Sequence, residues 1–166
     1  MSLRAFRPTD VPMVEELATD PYVPLIGSLP AGATAAAAAA WIERQHARLA
    51  EGVGFSFCIA DEQDEPLGFA GLWTRGLPGG RATAGYAVRP SARGRGAATH
   101  ALRALTAFGW ALPELHRVEL YVEPDNQASR RTAERAGYRE EGVLRQHQEI
   151  GGRRRDMCLY AALRTD

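Results

Sequence analysis

Between Tyr86 and Thr99 the chain reads YAVRPSARGRGAAT, and no other stretch restricts the fold as tightly. Tyr86-Ala87-Val88 has the character of a strand end, and Pro90 breaks it. Gly94 and Gly96 then lead into Ala98, Ala101, Leu102, Leu105, Phe108 and Leu112, which recur at helical spacing. The pattern predicts a long helix with its N-terminus at Gly94 to Gly96. The unpaired N–H groups there and the positive end of the dipole favour an anion. Glycine lets that anion approach because no side chain holds it off the backbone, and Arg93 and Arg95 add positive charge beside it. The result is an anion cradle, and a diphosphate is the guest that suits it best.

With 166 residues, 45% of them hydrophobic, the chain reads as one domain over residues 1–166, large enough to bury a core. No apolar run has the length of a membrane span, and Met1-Ser2-Leu3-Arg4 lacks a signal peptide's apolar segment, so a cytoplasmic protein without a membrane partner is expected. Cys58 and Cys158 sit in apolar, strand-like runs without metal-ligand spacing and are expected as reduced core residues. All 20 basic residues are arginine, which excludes Schiff-base lysine chemistry and a lysine-bearing P-loop. Residues 1–83 carry 6 arginines against 10 acids (net −4), and residues 84–166 carry 14 against 10 (net +4). A basic half suits an anionic cofactor, and an acidic half could attract a cationic amine. Nucleic acid is not an expected partner, because the run Arg153-Arg154-Arg155 is short and lacks interleaved aromatics.

Hydrophobic patterning predicts a strand from Leu3 to Phe6, then a helix capped by Thr9 or Asp10 with Val11, Val14, Leu17 and Ala18 on one face. Asp20 to Gly32, rich in proline and glycine, reads as an irregular loop, and Thr34 opens a helix through the alanine run to Leu49. Strands are expected over Gly54 to Ala60, Pro66 to Trp73, up to Val88, Arg117 to Val122, Tyr138 to His147 and Met157 to Leu163. Pro124-Asp125-Asn126 turns into a helix ending at Ala136, with Gly137 as its C-cap. Hairpins with one central β-α-β unit make a mixed α/β (α+β) domain.

This order of elements around this glycine turn resembles the GNAT superfamily of acyl-CoA-dependent N-acetyltransferases. Within it, the chain is most similar to the Rim-type (RimJ/RimL-like) branch, which includes N-terminal acetyltransferases of ribosomal proteins. The cofactor signature, Gln or Arg, two residues, Gly, one residue, then Gly or Ala, is matched by Arg93, Gly96 and Ala98. Asn-x-x-Ser followed by a helix and a Gly-aromatic pair is matched by Asn126, Ser129, Gly137 and Tyr138. Glu141 to Arg145, with Gly152 and Asp156 before the last strand, is similar to the branch's C-terminal pattern.

The resemblance implies a mostly antiparallel sheet of about seven strands flanked by about four helices around a β-α-β acyl-CoA-binding core. It implies acetyl-CoA as the acyl donor, no metal, and a primary amine on a protein N-terminus or a small molecule as acceptor; a homodimer is compatible with it. Backbone N–H groups of Arg93, Gly94, Arg95, Gly96, Ala97, Ala98 and Thr99 would hold the pyrophosphate. Ala87 and Val88 would pair with the pantetheine arm, Asn126 would hydrogen-bond it, and Ser129 would lie near the thioester sulfur. The small face of Ser129, Thr132, Ala133 and Ala136 would let the cofactor lie close.

Three departures bear on the chemistry. Ala133 stands where many members carry a tyrosine general acid, which leaves Ser129 to serve the sulfur. Thr83 stands where many branch members have an acid before Gly-Tyr. Gln148 stands where related ribosomal-protein enzymes have a glutamate, and its neighbour Glu149 would turn inward only through a bulge before Gly151-Gly152. Ser129 and Glu149 are therefore the candidate catalytic residues. His46, His100, His116 and His147 read as structural or solvated. Two other readings stand beside this one. A dinucleotide-binding oxidoreductase is disfavoured by Thr99 in place of the third glycine. A non-enzymatic acyl-CoA sensor or interaction module would explain the missing acid and base.

Overall fold

The computed structural model describes residues 1–166. Its seven strands are β1 (Ser2–Arg4), β2 (Gly54–Ala60), β3 (Pro66–Trp73), β4 (Arg81–Val88), β5 (Arg117–Val122), β6 (Arg139–Ile150) and β7 (Arg153–Leu163). They form one sheet in the order β1-β2-β3-β4-β5-β7-β6. The helices are α1 (Val11–Ala18), α2 (Val23–Ile26), α3 (Ala35–Ala50), α4 (Ala97–Gly109) and α5 (Gln127–Arg135). Every pairing is antiparallel, with β2–β3, β3–β4 and β6–β7 as hairpins, except β4 with β5, where α4 makes the crossover that a parallel pair needs.

Each sheet face buries its own core. On one side Leu72, Leu102, Leu105, Leu115, Val118 and Tyr160 pack beneath α4 and α5. On the other, Phe6, Val14, Leu17, Trp41 and Ile42 pack beneath α1 and α3, and Trp41 meets Phe6 and Phe69 edge-on at 5.5 and 5.3 Å between ring centroids. Cys58 and Cys158 are buried in different cores, and burial, with Asp10 nearby, pushes the Cys58 thiol up to about 12. No helix is long and apolar enough to cross a membrane.

Local signals set most of these boundaries. Thr34 caps α3 by accepting the Ala37 N–H (3.3 Å), and Gly137, at φ +97°, ends the turn after α5. Asp10 behaves otherwise than expected. Its carboxylate makes no cap for α1 and instead accepts both ends of the Arg4 guanidinium (2.8 and 2.9 Å) and the Arg7 N–H (2.9 Å). Asp10 is 1% exposed, and its pairing with the arginine fork outcompetes a lone N-cap bond, since charge-assisted bidentate pairs are the stronger. The loop from Asp20 holds the single turn α2, where the Asp20 carboxylate accepts the Tyr22 and Val23 N–H groups. The β6–β7 hairpin also outruns its apolar pattern: Gly151 and Gly152, at φ +59° and +75°, close a tight turn that extends pairing to Gln148, Glu149 and the three arginines.

The feature that creates a site lies at the sheet's centre. β4 pairs with β5 only from Arg81 to Thr83, opposite Arg117 to Glu119. Beyond that the strands part, and a cleft opens between them.

Candidate active site

Past Thr83, one edge of β4 has no strand beside it. Arg89 N–H bonds the Leu67 carbonyl on β3 (2.8 Å), so strand alternation turns the N–H and C=O of Ala84, Tyr86 and Val88 away from β3 and into the cleft. The open edge therefore belongs to Tyr86 and Val88, whereas the Ala87 backbone faces β3. At the end of this edge lies the glycine turn. Gly94 and Gly96 adopt φ +79° and +77°, conformations that side chains disfavour. The first helical bond of α4 is His100 N–H to the Gly96 carbonyl (3.1 Å), so the N–H groups of Ala97, Ala98 and Thr99 have no backbone partner. A Cβ at Gly94 would meet nothing within 4 Å, and one at Gly96 only His100 at 3.8 Å, so the glycines keep open the space in front of these donors.

Acids of the N-terminal half hold the turn. Asp20, 8% exposed, accepts Arg93 Nη2 at 2.6 Å through Oδ2, while its Oδ1 accepts Tyr22 N–H (2.8 Å) and Val23 N–H (2.9 Å) at the start of α2. Arg93 Nε donates to the Val88 carbonyl (3.0 Å). Glu16 on α1 accepts Ser91 N–H (2.8 Å) and faces Arg89 at 3.7 Å. Burial pushes both carboxyls up, but hydrogen bonds, from Ser91 to Glu16 and from Val23, Arg93 and Tyr22 to Asp20, together with the arginine charges, more than offset it and hold them below the usual carboxylate range. Charge from the acidic half is thus spent inside the protein on the basic turn.

The cleft brings together Ala87, Val88, Arg93, Gly94, Gly96, Ala97, Ala98 and Thr99 with Asn126 and Ser129. Arg95 is exposed and lies outside its lining. Asn126 caps α5, its Oδ1 accepting Ser129 N–H (3.1 Å), which leaves the amide N–H groups free. The side of α5 along the cleft is Ala128, Ser129, Arg131, Thr132 and Arg135, whereas Ala133 is buried in the core. Arg131 and Arg135 are cations of the cleft that the small-residue pattern of this helix concealed. Arg130, hydrogen-bonded to the buried Tyr160 hydroxyl (3.1 Å) and to Glu140 (3.0 Å), anchors α5 to the sheet.

A second, mainly apolar cavity adjoins the cleft, with Tyr86, Asn126 and Ser129 lining both. The Tyr86 hydroxyl is buried at this junction and makes no hydrogen bond. Burial raises its phenol pKa, and the nearby Ser129 and Thr132 hydroxyls pull the other way without reaching hydrogen-bond geometry. Alternation along β4 puts Tyr86 on the face of Ala82, Ala84 and Val88, beneath α5; that periodicity was the available signal for it.

Trp41, Phe69 and Trp73 line the second cavity, together with Tyr121, Gln148 and Arg48, and no Asp or Glu does. Tyr121 donates to Glu119 (2.8 Å), a buried carboxylate also held by Arg117 (2.7 Å). Burial and that carboxylate push the Tyr121 phenol up to about 12. His147 stacks on the Tyr121 ring, 4.9 Å between centroids. Glu149 stands apart. The β6–β7 register shifts between Leu144 and Gln148, where Gln146 adopts φ +49°. The bulge is complete before Gln148, so regular alternation turns Gln148 and Ile150 toward the cavity and leaves Glu149 exposed on the other face. No three His, Cys, Asp or Glu side chains converge as a metal site.

Comparison with known proteins agrees with this geometry. N-acetyltransferase p20 of Bacillus licheniformis, itself uncharacterized, is 31% identical over 108 residues, 65% of this chain but only 61% of that relative's length. RimJ of Mycobacterium smegmatis, solved in complex with CoA-disulfide, has a TM-score of 0.83 at 26% identity, covering 98% of this chain and 81% of that one. RimL, a ribosomal L7/L12 alpha-N-protein acetyltransferase solved with coenzyme A, has a TM-score of 0.82 at 22% identity over 97% of this chain and 92% of that one, a likeness of fold. Residues 1–139 match the model of the acetyltransferase (GNAT) domain, and the chain belongs to the GNAT acetyltransferase family.

Proposed function

We propose that this protein transfers the acetyl group of acetyl-CoA to a primary amine by direct attack in a ternary complex. The observation that carries the reading is the open edge of β4, which runs past Tyr86 and Val88 into unpartnered N–H groups at the start of α4. An extended amide-bearing arm can add to that edge as a strand would, and a pyrophosphate suits the helix N-terminus beyond it.

The amine, as its free base, enters from the apolar cavity and its nitrogen attacks the thioester carbonyl. The Val88 N–H, directed into the cleft, can stabilise the oxyanion. The C–S bond then breaks, and the departing thiolate takes a proton from Ser129 or from the Tyr86 hydroxyl, both at the junction of the two cavities. The nitrogen, cationic after attack, releases one proton through solvent water, which restores the donor hydroxyl. A thioester is already activated, so alignment of the amine supplies much of the rate. The acceptor is a protein N-terminal α-amine or a small amine. Thiol release from acetyl-CoA across a panel of amines, with calorimetric CoA binding alongside, tests the assignment. CoA binding without turnover on any amine would favour an acyl-CoA sensor, the alternative suggested by the lack of a carboxylate around the acceptor cavity.

A further inference from the structure

Arg48 is the one charged side chain lining the apolar cavity. It belongs to the last turn of α3, and its guanidinium lies over the Trp73 ring, 5.3 Å from the centroid. Its Nη1 is buried and has no hydrogen-bond partner. Three other arginines near the site face acids: Arg93 with Asp20 at 2.6 Å, Arg89 with Glu16 at 3.7 Å (its Nε otherwise unpartnered), and Arg155 with Glu123 at 3.4 Å. Arg48 has no such partner. Glu51, one turn on, acts on it only through space, and Arg44, one turn back, adds a like charge while donating to the Ser28 carbonyl (3.4 Å) at the cavity rim.

The C-terminal end of a helix favours a cation, and the Trp73 face holds this one. Neither supplies an acceptor for Nη1. A guanidinium stays charged under all ordinary conditions, so a buried N–H without a partner is costly until an acceptor arrives. With its carbon 5.3 Å from the Trp73 ring centroid, the guanidinium still has N–H donors without acceptors, and a guanidinium's N–H edge can match two oxygens of a carboxylate or phosphate. The remaining walls fit the same guest. Trp41, Phe69 and Trp73 are apolar, and the junction with Tyr86 and Ser129 is where an amine would meet the thioester.

We infer that Arg48 forms an oxyanion subsite of the acceptor cavity, so that the amine acetylated here carries a carboxylate or phosphate on the same molecule. The inference rests on the acetyl-transfer reading for the fate of the amine, but anion binding at Arg48 can be read independently. The substrate spans the cavity with its anion at Arg48, an apolar middle against the aromatics and its amine at the junction. A free polyamine is disfavoured, because it would meet a like charge and no acid.

The test uses two matched ladders: ω-amino acids of increasing length against their carboxamides, and aminoalkyl phosphates against the corresponding aminoalcohols. Acetylation is followed by thiol release. Binding is followed separately by Trp fluorescence, since Trp73 lies under Arg48, in the wild type, Arg48→Met and Arg48→Lys, with calorimetric CoA affinity as the folding control. At the best chain length the anionic amine should exceed its neutral twin in kcat/KM by about tenfold to a hundredfold, the range of a charge-assisted hydrogen bond. Arg48→Met should bring the twins within a few-fold of each other, and Arg48→Lys should restore part of the preference. The ladder that responds identifies carboxylate or phosphate as the source. If CoA binds but neither ladder shows an Arg48-dependent preference or fluorescence change, the subsite is refuted while the cofactor reading stands. If CoA fails to bind yet the anions still titrate Trp73 only when Arg48 is present, the acetyl-transfer reading falls and the anion subsite survives.

Discussion

Arg93 and Asp20 meet at 2.6 Å, and their contact joins the glycine turn to the first turn of α2. One Asp20 oxygen takes the arginine and the other takes two backbone N–H groups, so a single buried carboxylate ties the glycine turn to the loop that carries α2. Asp20→Ala should therefore cost about 1–3 kcal/mol, mostly from the stranded N–H groups, and weaken CoA several-fold. Asp20→Asn can keep the caps and lose only the ion pair, whose arginine is half exposed, so it should cost less than about 1 kcal/mol. The Asp20 carboxyl titrates below its ordinary range in the folded protein. Its contribution is therefore complete above about pH 4 and is lost as pH falls through the folded value. Melting temperature against pH should show wild type and Asp20→Asn converging in acid; a constant gap would refute the ion pair's role.

Gly96 tests the cradle. At φ +77°, alanine or valine is strained there by about 1–2 kcal/mol, although the protein itself leaves room for a Cβ. Both variants should remain folded by circular dichroism, and valine, the bulkier at the mouth of the N–H cluster, should lower CoA affinity more than tenfold. Unchanged calorimetric affinity in folded Gly96→Val would rule out the pyrophosphate site.

Tyr86 and Ser129 separate chemistry from stability. Ser129→Ala should lower kcat by about tenfold to a hundredfold with little change in CoA affinity, as expected when a proton donor to a good leaving group is lost. Tyr86→Phe removes a buried hydroxyl that has no partner in the protein, so it should hold or raise the melting temperature while also lowering kcat. Lower stability in Tyr86→Phe would mean that the hydroxyl is structurally satisfied. Full activity in both single variants and in the double variant would leave the thiolate's proton to solvent.

The cleft's glycine turn was legible because its determinants are local: two glycines, a proline and one helix's periodicity specify it within Tyr86 to Thr99. The Arg93–Asp20 bond joins residues 73 apart in sequence, and no local pattern encodes it. Charge asymmetry between the halves was visible, but the internal pairing of part of it was not. Glu16 and Asp20 turn it inward onto Arg89 and Arg93. Glu149 was misjudged for a related reason: a bulge was the right device, but only its exact register decides which of Gln148 and Glu149 faces the cavity. Ala133 is buried in the core, while the hydroxyl that reaches the junction, on Tyr86, comes from a strand. The second cavity draws on α2, α3, α5 and five strands at once, so its aromatic, acid-free character appears only after folding.

That acid-free character bears on which amine reacts. With Glu149 outside the cavity and no other carboxylate lining it, the amine must arrive largely as its free base. An α-amino group has a pKa of about 8 and a lysine side chain about 10.4, so near pH 7 the free-base fraction differs by roughly two orders of magnitude. A peptide with a free N-terminus should therefore be acetylated well ahead of its N-blocked, lysine-containing twin. For an α-amine, log kcat/KM should climb with unit slope as pH rises and level off near the ammonium pKa, because the only required deprotonation is that of the substrate. A plateau reached below pH 7, or a better rate on the blocked peptide at neutral pH, would require a base in the protein. The Tyr121–Glu119 pair, whose phenol lines the cavity and donates to a buried carboxylate at 2.8 Å, would then be the group to mutate first, with Tyr121→Phe expected to shift the profile back toward the amine's own pKa.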